Sequence, residues 1–393
     1  MEYVAKNIPL WKVTTWDKKF NDIDKDWQPK TIKYKYLLSD ELDSLRVEDG
    51  DVRILYTGKE VGYTNEDLAG QSISDGEIVA IPWGGIPTVK YHKGKFVTGD
   101  NRIATSNDTT QLSNKYLYYF MRGNIQRIAT YYRGASLKHP CMKDILKMTI
   151  SYPSIQEQRI ICSQFDDLEQ IIEKRNHELQ LLDELIKARF VEMFGTLNSP
   201  RQEFAKATLK ELCNKITDGK HGGCKTEEGT ERYYVGAREI YNDEVHYDTA
   251  PEINIDEFEK DYKRCNVEIG DFLMVNTGAT IGKSAIATDE RTEHTLLQKS
   301  VALLKVKKEL LNPVFLKWCY RVNTQMYIVE SASAQPNLLL SKINATIIYV
   351  PDIELQNEFT GFVQQVDKSK VAVQKALKQT QTLFDSLMQK YFG

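Results

Sequence analysis

Two long segments of the chain carry apolar residues at alternating spacings of four and three. The first seam runs from 161 to 193 and is interrupted by two arginines; the second, 198 residues further on, runs from 359 to 391 and is interrupted by a lysine and a threonine. This is the a/d pattern of a coiled coil. We predict two helices of about 40 residues, each about 60 Å long, that pair with each other. Two unrelated amphipathic surface helices are the alternative, although such helices rarely run so far without a cap or a glycine.

The chain also repeats itself. ARFVEMFG at 188–195 matches SLMQKYFG at 386–393, and YPSIQEQ at 152–158 matches VPDIELQ at 350–356, both displaced by 198. The displacement shrinks toward the start of each half, as differences in loop length would make it. Each half therefore consists of a variable module followed by a closely matched helical tail. Residues 1 to about 30 match nothing in the second half, and Asp49-Gly50 is a two-residue match to Asp218-Gly219.

The modules are predicted to be mixed strand and helix. Short runs rich in β-branched and aromatic residues, such as DFLMVN at 271–276, alternate with glycines and charged loops. A helical pattern precedes each tail, at 112–128 and at 312–326, the latter opened by Asn312 and Pro313 at cap and first-turn positions. The predicted fold class is α+β, with a first module at 1–153, a long helix at 154–195, a second module at 196–351 and a second long helix at 352–393.

Composition places the chain among ordinary globular proteins of two or three domains. It has 393 residues, 41% of them hydrophobic, with 52 Lys plus Arg against 55 Asp plus Glu. No apolar run reaches the roughly 18 residues that span a bilayer, and the start of the sequence lacks the apolar segment of a signal peptide. We therefore expect a cytoplasmic protein without a membrane contact. The six scattered cysteines predict neither a disulfide framework nor a metal site.

Overall charge argues against a simple polyanion binder, but local charge differs from it. Residues 88–147 hold eleven lysines and arginines against three aspartates, a net of +8, together with six tyrosines. Cations mixed with planar rings favour contact with a nucleic-acid backbone. A weaker basic stretch lies at 299–321, whereas residues 154–195 are acidic. The alternative is that both stretches are solvated basic faces without a function. Because the two stretches occupy corresponding places in the repeat, this alternative is less attractive.

Several segments resemble motifs of enzymes but lack the required spacing or residues. TGATIGKS at 277–284 resembles a phosphate-binding loop, but only three residues separate Gly278 from Gly282, where such a loop needs four. We interpret it as a glycine-rich turn between strands with Lys283 at its tip. Pro351-Asp352 lacks the ExK partner of a nuclease centre, and neither GxGxxG nor Asn-Pro-Pro-aromatic occurs. The sequence thus predicts no catalytic residues and no cofactor held by this chain.

Taken together, the two modules, the helix ends ARFVEMFG and LMQKYFG, and the segments YPSIQEQRII, GDFLMVNTGATIGK and SASAQPNLLLSKI resemble the specificity subunit of type I DNA restriction-modification systems. The resemblance covers nearly the whole chain. It implies that each module is a target-recognition domain, that the helices pair antiparallel as a spacer, and that the chain binds double-stranded DNA at an asymmetric bipartite target. It also implies a non-catalytic subunit that holds two methyltransferase subunits and, in the full complex, restriction subunits, with S-adenosylmethionine, ATP and Mg used by those partners.

Polar and cationic loop residues at the module edges are the candidates for DNA contact. In the second module they are Lys220, His221, Arg238, Thr277, Thr280 and Lys283; in the first they are Lys59, Lys90, His92, Lys95, Arg102, Lys138 and His139. A loop histidine such as His221 is more often only solvated. Three other functions stay open at this point: a coiled-coil scaffold with incidental basic patches, an enzyme built on the Gly282-Lys283-Ser284 turn, and a specificity subunit of a related system that is not type I.

Overall fold

The computed structural model describes residues 3–20, 23, 25–58, 61–327 and 336–393. These residues form two compact units. The first contains Met1–Arg175 with Ala376–Gly393, and the second contains Asn176–Lys375. Each unit therefore combines one module with parts of both long helices. Among the residues that the structure describes, no helix has the length and apolar composition needed to cross a bilayer.

A seven-stranded mixed sheet forms the centre of the first unit. Its strands, in spatial order, are Lys30–Thr31, Thr14–Trp16, Asn101–Ser106, Ser74–Pro82, Lys90–Thr98, Val52–Leu55 and Val61–Thr64. Most neighbours pair antiparallel, whereas Val52–Leu55 runs parallel to Lys90–Thr98. Two small antiparallel pairs complete the unit: Tyr3–Pro9 with Thr149–Pro153, and Tyr132–Arg133 with His139–Pro140.

The helices of the first module are short. They are Leu10–Val13, Ser39–Ser44, Glu66–Ala69, Asn114–Gly123, Ile125–Thr130 and Met142–Lys147, with 3-10 turns at Lys25–Trp27 and Gly70–Ser72. The predicted helix at 112–128 is thus divided at Asn124, whose side-chain amide donates to the Phe120 carbonyl at 3.0 Å. Ser113 caps the first of the two pieces by accepting from the Tyr116 amide at 3.0 Å. Both pieces pack on the hydrophobic core of the sheet.

The second unit has a smaller antiparallel sheet. Its strands, in spatial order, are Cys213–Asp218, Val301–Val306, Phe272–Val275 and Ser284–Ile286. Tyr233–Val235 pairs parallel with Thr295–Leu297, and antiparallel pairs join Ala205–Thr208 to Ile347–Val350 and Ile240–Tyr241 to Glu244–Val245. The helices are Leu209–Leu212, Ile255–Cys265, Pro313–Val322 and Leu340–Ala345, with 3-10 turns at Tyr247–Thr249, Glu290–His294 and Thr324–Met326. As predicted, Asn312 caps the third of these helices and Pro313 occupies its first turn.

The first residues of the chain do have a counterpart in the second half, contrary to the expectation from sequence. In each unit a strand, one helical turn and a second strand follow one another, at 3–16 and at 205–218. The first strand pairs with the strand before a long helix, and the second enters the main sheet. Asp218 ends the second of these strands and Asp17 directly follows the equivalent strand of the first unit, whereas Asp49 lies outside these elements. The two segments share few side chains, so a comparison of sequences does not match them. Their strands pair through backbone hydrogen bonds, which any sequence can form.

The two long helices each span 40 residues, Ile155–Phe194 and Ile353–Phe392. All twenty predicted seam positions are buried or half-buried. In the first unit Phe165 packs against Phe384 and Phe392, with ring centroids 5.2 and 5.8 Å apart. In the second unit Phe190 packs against Phe359 at 5.3 Å. Within each unit the start of one helix therefore meets the end of the other, which is the predicted antiparallel pairing.

Two of the polar residues that interrupt the seams form ion pairs between the long helices of the second unit. Lys370 Nζ lies 2.9 Å from an Asp183 carboxylate oxygen. Arg189 lies 3.3 Å from Glu358 and also pairs with Glu192 at 2.9 Å. Pairing lets these residues occupy seam positions without leaving a desolvated charge.

A buried glutamine fixes the start of each long helix. The Gln158 amide donates to the carbonyls of Gln111 at 2.6 Å and Pro153 at 2.9 Å, while its oxygen accepts from the Ser113 amide at 2.9 Å. Gln356 repeats the arrangement in the second unit, with donations at 3.0 and 2.8 Å and an accepted bond of 2.8 Å. Both side chains are fully buried. The sequence match at 152–158 and 350–356 thus records a shared hydrogen-bond network.

Candidate nucleic-acid interface

Four loops of the second unit meet beside the ends of its two parallel strands. We call them the second loop cluster: residues 219–223, 236–238, 276–283 and 298–300. The Lys299 amide donates to the Lys220 carbonyl at 3.0 Å. Ser300 accepts from the Asn276 amide at its carbonyl, 3.0 Å, and from the Ala237 amide at its hydroxyl, 3.2 Å. These bonds join loops that are far apart in sequence into one surface.

Three long cations of this cluster are exposed. Arg238 and Lys283 were predicted as DNA contacts, and Lys299 lies on the loop 298–300, which is hydrogen-bonded to each of the other three loops. Within the described part of the chain, the three side chains have no hydrogen bond or ion pair. His221 is also exposed, with its ring 3.4 Å from an Asp218 carboxylate oxygen. The cluster therefore presents exposed donors that can reach phosphates or base edges.

Other predicted residues of the second module support the cluster instead of extending from it. Lys220 forms ion pairs with Asp261 at 2.6 Å and Glu257 at 3.6 Å, and the contact with Asp261 raises its pKa. Its ammonium therefore fixes the loop on the helix Ile255–Cys265, and Lys220 is partnered within the fold. Thr277 donates its hydroxyl to the Asn337 side chain at 3.2 Å, and the Thr280 carbonyl accepts from the Lys283 amide at 3.2 Å.

The TGATIGK segment is the predicted turn between strands. It connects the paired strands Phe272–Val275 and Ser284–Ile286 and ends in the exposed Lys283. Gly278 has φ +94° and donates its amide to the Pro336 carbonyl at 2.9 Å. A backbone in this left-handed region favours glycine.

The first unit has an equivalent turn at 83–88. Gly85 has φ +90° and donates its amide to the Lys138 carbonyl at 3.0 Å, as Gly278 does to Pro336. We call 83–88 together with 134–139 the first loop cluster. Lys138 is exposed there, without a side-chain partner among the described residues. His139 is half-buried, with Nδ1 2.7 Å from the Trp83 carbonyl oxygen.

Arg102 was predicted to contact DNA, but the structure places it in the interior of the first unit. Its side chain is 2% exposed, contacts Asp17 at 2.7 Å, and also pairs with Asp100. Its guanidinium carbon lies 4.5 Å from the centre of the Trp83 ring. A buried guanidinium with two carboxylate partners cannot reach DNA, so Arg102 supports the first loop cluster from below.

The remaining candidates of the first module lie on the long strand Lys90–Thr98. Lys90 donates to the Tyr56 carbonyl, and burial, with a smaller effect of Arg53, lowers the pKa of its ammonium to about 8. His92 lies 3.0 Å from the Lys95 carbonyl oxygen, and burial lowers its pKa. Lys95 is ion-paired with Glu66. Lys59 lies outside the described residues.

At least five of the eleven basic residues at 88–147 form ion pairs with acidic residues of their own unit. Lys115 pairs with Asp166 at 2.9 Å, and Arg122 pairs with Glu169, both on the first long helix. The Tyr119 hydroxyl donates to Asp166 at 2.6 Å. Tyr116, Tyr119 and Tyr132 are buried in the core. Part of this stretch is therefore engaged within the fold, and two of its cations are paired with the acidic first long helix.

The second basic stretch is occupied in the same way. Lys305 pairs with Asp271 at 2.8 Å, Lys317 with Asp243 at 3.0 Å, and Arg321 with Asp243 as well. These residues differ from Lys299 in having ion-pair partners, whereas the side chain of Lys299 is exposed. Lys299 appeared in the basic stretch, but nothing in the local sequence distinguished it from its paired neighbours.

Comparison with known proteins gives consistent results. The family model of the type I restriction modification DNA specificity domain matches twice, at residues 27–182 and 201–381. The specificity subunit of the Escherichia coli type I restriction enzyme EcoDI is 25% identical over 113 residues, or 29% of this chain, and the match spans 25% of that relative.

Two solved structures share the fold. The type I restriction-modification S subunit from M. genitalium has a TM-score of 0.57 and 16% identity, covering 98% of this chain and 96% of that one. A chain from work on complex assembly and conformational transition of the type I R-M system has a TM-score of 0.51 and 15% identity, covering 90% and 93%. The shared fold confirms the predicted α+β architecture of two repeated modules with long helices.

Proposed function

Because the chain belongs to the family of type I restriction-modification DNA specificity domains, we propose that it selects the DNA target for a multisubunit methyltransferase and endonuclease. One observation carries this proposal: two units with the same core strands present loop clusters of different composition at the same place. Arg238, Lys283 and Lys299 are exposed in the second cluster, and Lys138 in the first. A common frame with different loops suits the reading of two different half-sites.

We propose residues 1–153 and 196–351 as recognition domains, and 154–195 and 352–393 as spacer helices. The bipartite target is then asymmetric, because the two loop clusters differ. The exposed lysines bind phosphates and fix the register, while other loop side chains contact base edges in the major groove. The chain itself is non-catalytic in this proposal, and its partners use S-adenosylmethionine, ATP and Mg.

The partners in this proposal are two methyltransferase subunits and, in the full complex, restriction subunits. The relatives support it, since one is a subunit of a type I restriction enzyme and another comes from work on assembly of such a system. Family membership also favours a cytoplasmic location, where the DNA target is found. A specificity subunit of a related system that is not type I would share the same fold.

The spacer helices are proposed to fix the number of unread base pairs between the half-sites. A heptad inserted into both helices at matched seam positions keeps the a/d register and lengthens each helix by about 10 Å. At about 34 Å per turn of DNA, this corresponds to about three base pairs. The half-sites should stay the same while the gap grows. An unchanged gap in the methylated motif would contradict the spacer role.

The central test is co-expression of the chain with the products of neighbouring genes, followed by purification and single-molecule sequencing of the host DNA. A co-purifying methyltransferase and a split asymmetric methylated motif that disappears when the chain is deleted would support the proposal. No such partner and an unchanged methylation pattern would favour the coiled-coil scaffold. Nucleotide binding by the isolated chain would favour an enzyme.

Salt dependence gives a second, independent test. Phosphate contacts release counterions, so affinity for DNA should fall steeply as salt rises. Lys299→Ala should weaken binding to cognate and scrambled duplexes alike and reduce the slope, whereas loss of a base-reading residue relaxes one position of the target at a cost of about 1–3 kcal/mol. Arg238→Ala on the same two duplexes shows to which class Arg238 belongs. Lys305→Ala is a poor control because Lys305 is ion-paired; Lys187→Ala on the acidic helix is better.

A further inference from the structure

The first loop cluster presents two apolar side chains to solvent. Ile86 is 73% exposed and Leu137 is 54% exposed. Among the residues that the structure describes, neither belongs to a hydrophobic core of the unit. Exposed isoleucine and leucine do not help this unit to fold, and single exposed apolar residues are common on protein surfaces. What distinguishes this pair is that the surrounding structure holds both loops in place.

The two loops are joined by several contacts. Besides the Gly85 amide bond to Lys138, the Tyr132 hydroxyl donates to the Pro82 carbonyl at 2.7 Å. A methyl group built on Gly84 would lie 3.3 Å from the Leu137 side chain, so the loops touch there. Pro87 follows Ile86 and restricts its backbone to extended conformations. The isoleucine is therefore presented at small cost in conformational entropy.

Trp83 anchors the base of this cluster. The Arg102 guanidinium carbon and the Lys18 ammonium lie 4.5 and 4.8 Å from the centre of its ring, and the His139 ring centre lies 5.4 Å away. Arg102 is in turn held by the buried Asp17. A surface fixed this firmly meets the requirement that a recognition site be preorganised.

From these contacts we infer that Ile86, assisted by Leu137, reads the 5-methyl group of a thymine in the major groove of the half-site bound by the first unit. This inference rests on the proposed function. The neighbouring exposed Lys138 supplies the positive charge that attracts a phosphate backbone, and apolar contact is how proteins recognise the thymine methyl. A DNA duplex is thus the occupant that satisfies both the cation and the apolar pair.

The second unit provides the contrast. By the shared hydrogen bond, Gly278 corresponds to Gly85, and Ala279 therefore takes the place of Ile86. The alanine is exposed but carries a single methyl group. The same frame thus offers a large apolar contact in one unit and a small one in the other, which is a difference of the kind that makes the two half-sites unlike.

The experiment uses the full chain in its purified complex and a duplex selected by that complex from a randomised library. Each thymine of the selected site is replaced singly by deoxyuridine, which removes only the 5-methyl group. We expect that replacing one particular thymine of one half-site weakens binding by about fourfold, which is the effect of losing one buried methyl group. Ile86→Ala should bind the parent duplex about as weakly and should be insensitive to that replacement.

The controls separate this inference from the proposed function. Ile347→Ala removes an isoleucine of the second unit that is 57% exposed and should leave the deoxyuridine profile of the first half-site unchanged. Ala279→Ile should alter the profile at the other half-site only. Selection of no sequence at all would overturn the proposed function. Selection of a specific site whose deoxyuridine profile is flat, or is the same for Ile86→Ala, would overturn the thymine contact alone.

Discussion

Replacing the buried glutamine at the start of a long helix is the most informative perturbation of the fold. Gln158→Met keeps the length of the side chain but removes two donated bonds, of 2.6 and 2.9 Å, and one accepted bond of 2.9 Å. Each such bond contributes about 1 kcal/mol, and the buried amide and carbonyls left without partners cost more. We expect the free energy of unfolding of the first unit to fall by about 3–5 kcal/mol.

The repeat supplies a matched experiment. Gln356→Met removes three equivalent bonds in the second unit and should have a similar cost there. Gln156 and Gln364 are exposed glutamines of the same two helices, so their replacement by methionine should change stability by less than about 0.5 kcal/mol. The two effects should also add, because the networks share no residue.

Urea denaturation followed by two probes distinguishes the units. Four of the five tryptophans belong to the first unit, so intrinsic fluorescence follows mainly that unit, with Trp318 as the exception. Hydrogen exchange read by mass spectrometry reports on both units separately. If the free energies of unfolding of Gln158→Met and Gln156→Met differ by less than about 0.5 kcal/mol, the hydrogen bonds of Gln158 do not stabilise the helix start. The reasoning from its burial then fails.

Three further perturbations address other features. Asp17→Asn leaves the buried Arg102 with one exposed partner and should cost about 3–5 kcal/mol in urea denaturation; an equal cost for Asp100→Asn would contradict this. Lys90 has a folded pKa of about 8, below its unfolded value, so the unfolded chain binds more protons between pH 8 and about 10.5 and stability should rise with pH there; Lys90→Met should abolish that rise. In Gly85→Ala the added methyl group meets open space, but alanine disfavours the φ of +90° at this position. The substitution should therefore cost about 1 kcal/mol of stability and weaken DNA binding through one half-site; unchanged binding would show that DNA does not contact this turn.

The long helices could be predicted from sequence because their signal is local. An a/d pattern repeats within two helical turns, so twenty seam positions could be assigned without knowing any distant contact. The cap at Asn312 and the turn ending in Lys283 depend on neighbouring residues in the same way. Each of these features is decided by backbone geometry over a few residues.

The partners of charged residues could not be predicted in this way. Arg102 and Lys220 have the residue types of DNA contacts, yet Asp17 and Asp261 hold them in the fold, 85 and 41 positions away in sequence. Exposed Lys299 lies only six positions before Lys305, yet of these two lysines only Lys305 is ion-paired among the described residues. A charge pattern gives the number of cations in a stretch, but their orientation depends on the elements packed against them.

Sequence alone therefore determined the repeat, the paired helices and the family of this protein, because periodicity and spacing persist along the chain. Tertiary structure alone decided which loops meet and which side chains remain free. The bond from Gly85 to Lys138 joins residues 53 positions apart, and its equivalent from Gly278 to Pro336 joins residues 58 apart. Such contacts form through backbone groups that every residue carries, so side-chain patterns do not reveal them until the strands have paired.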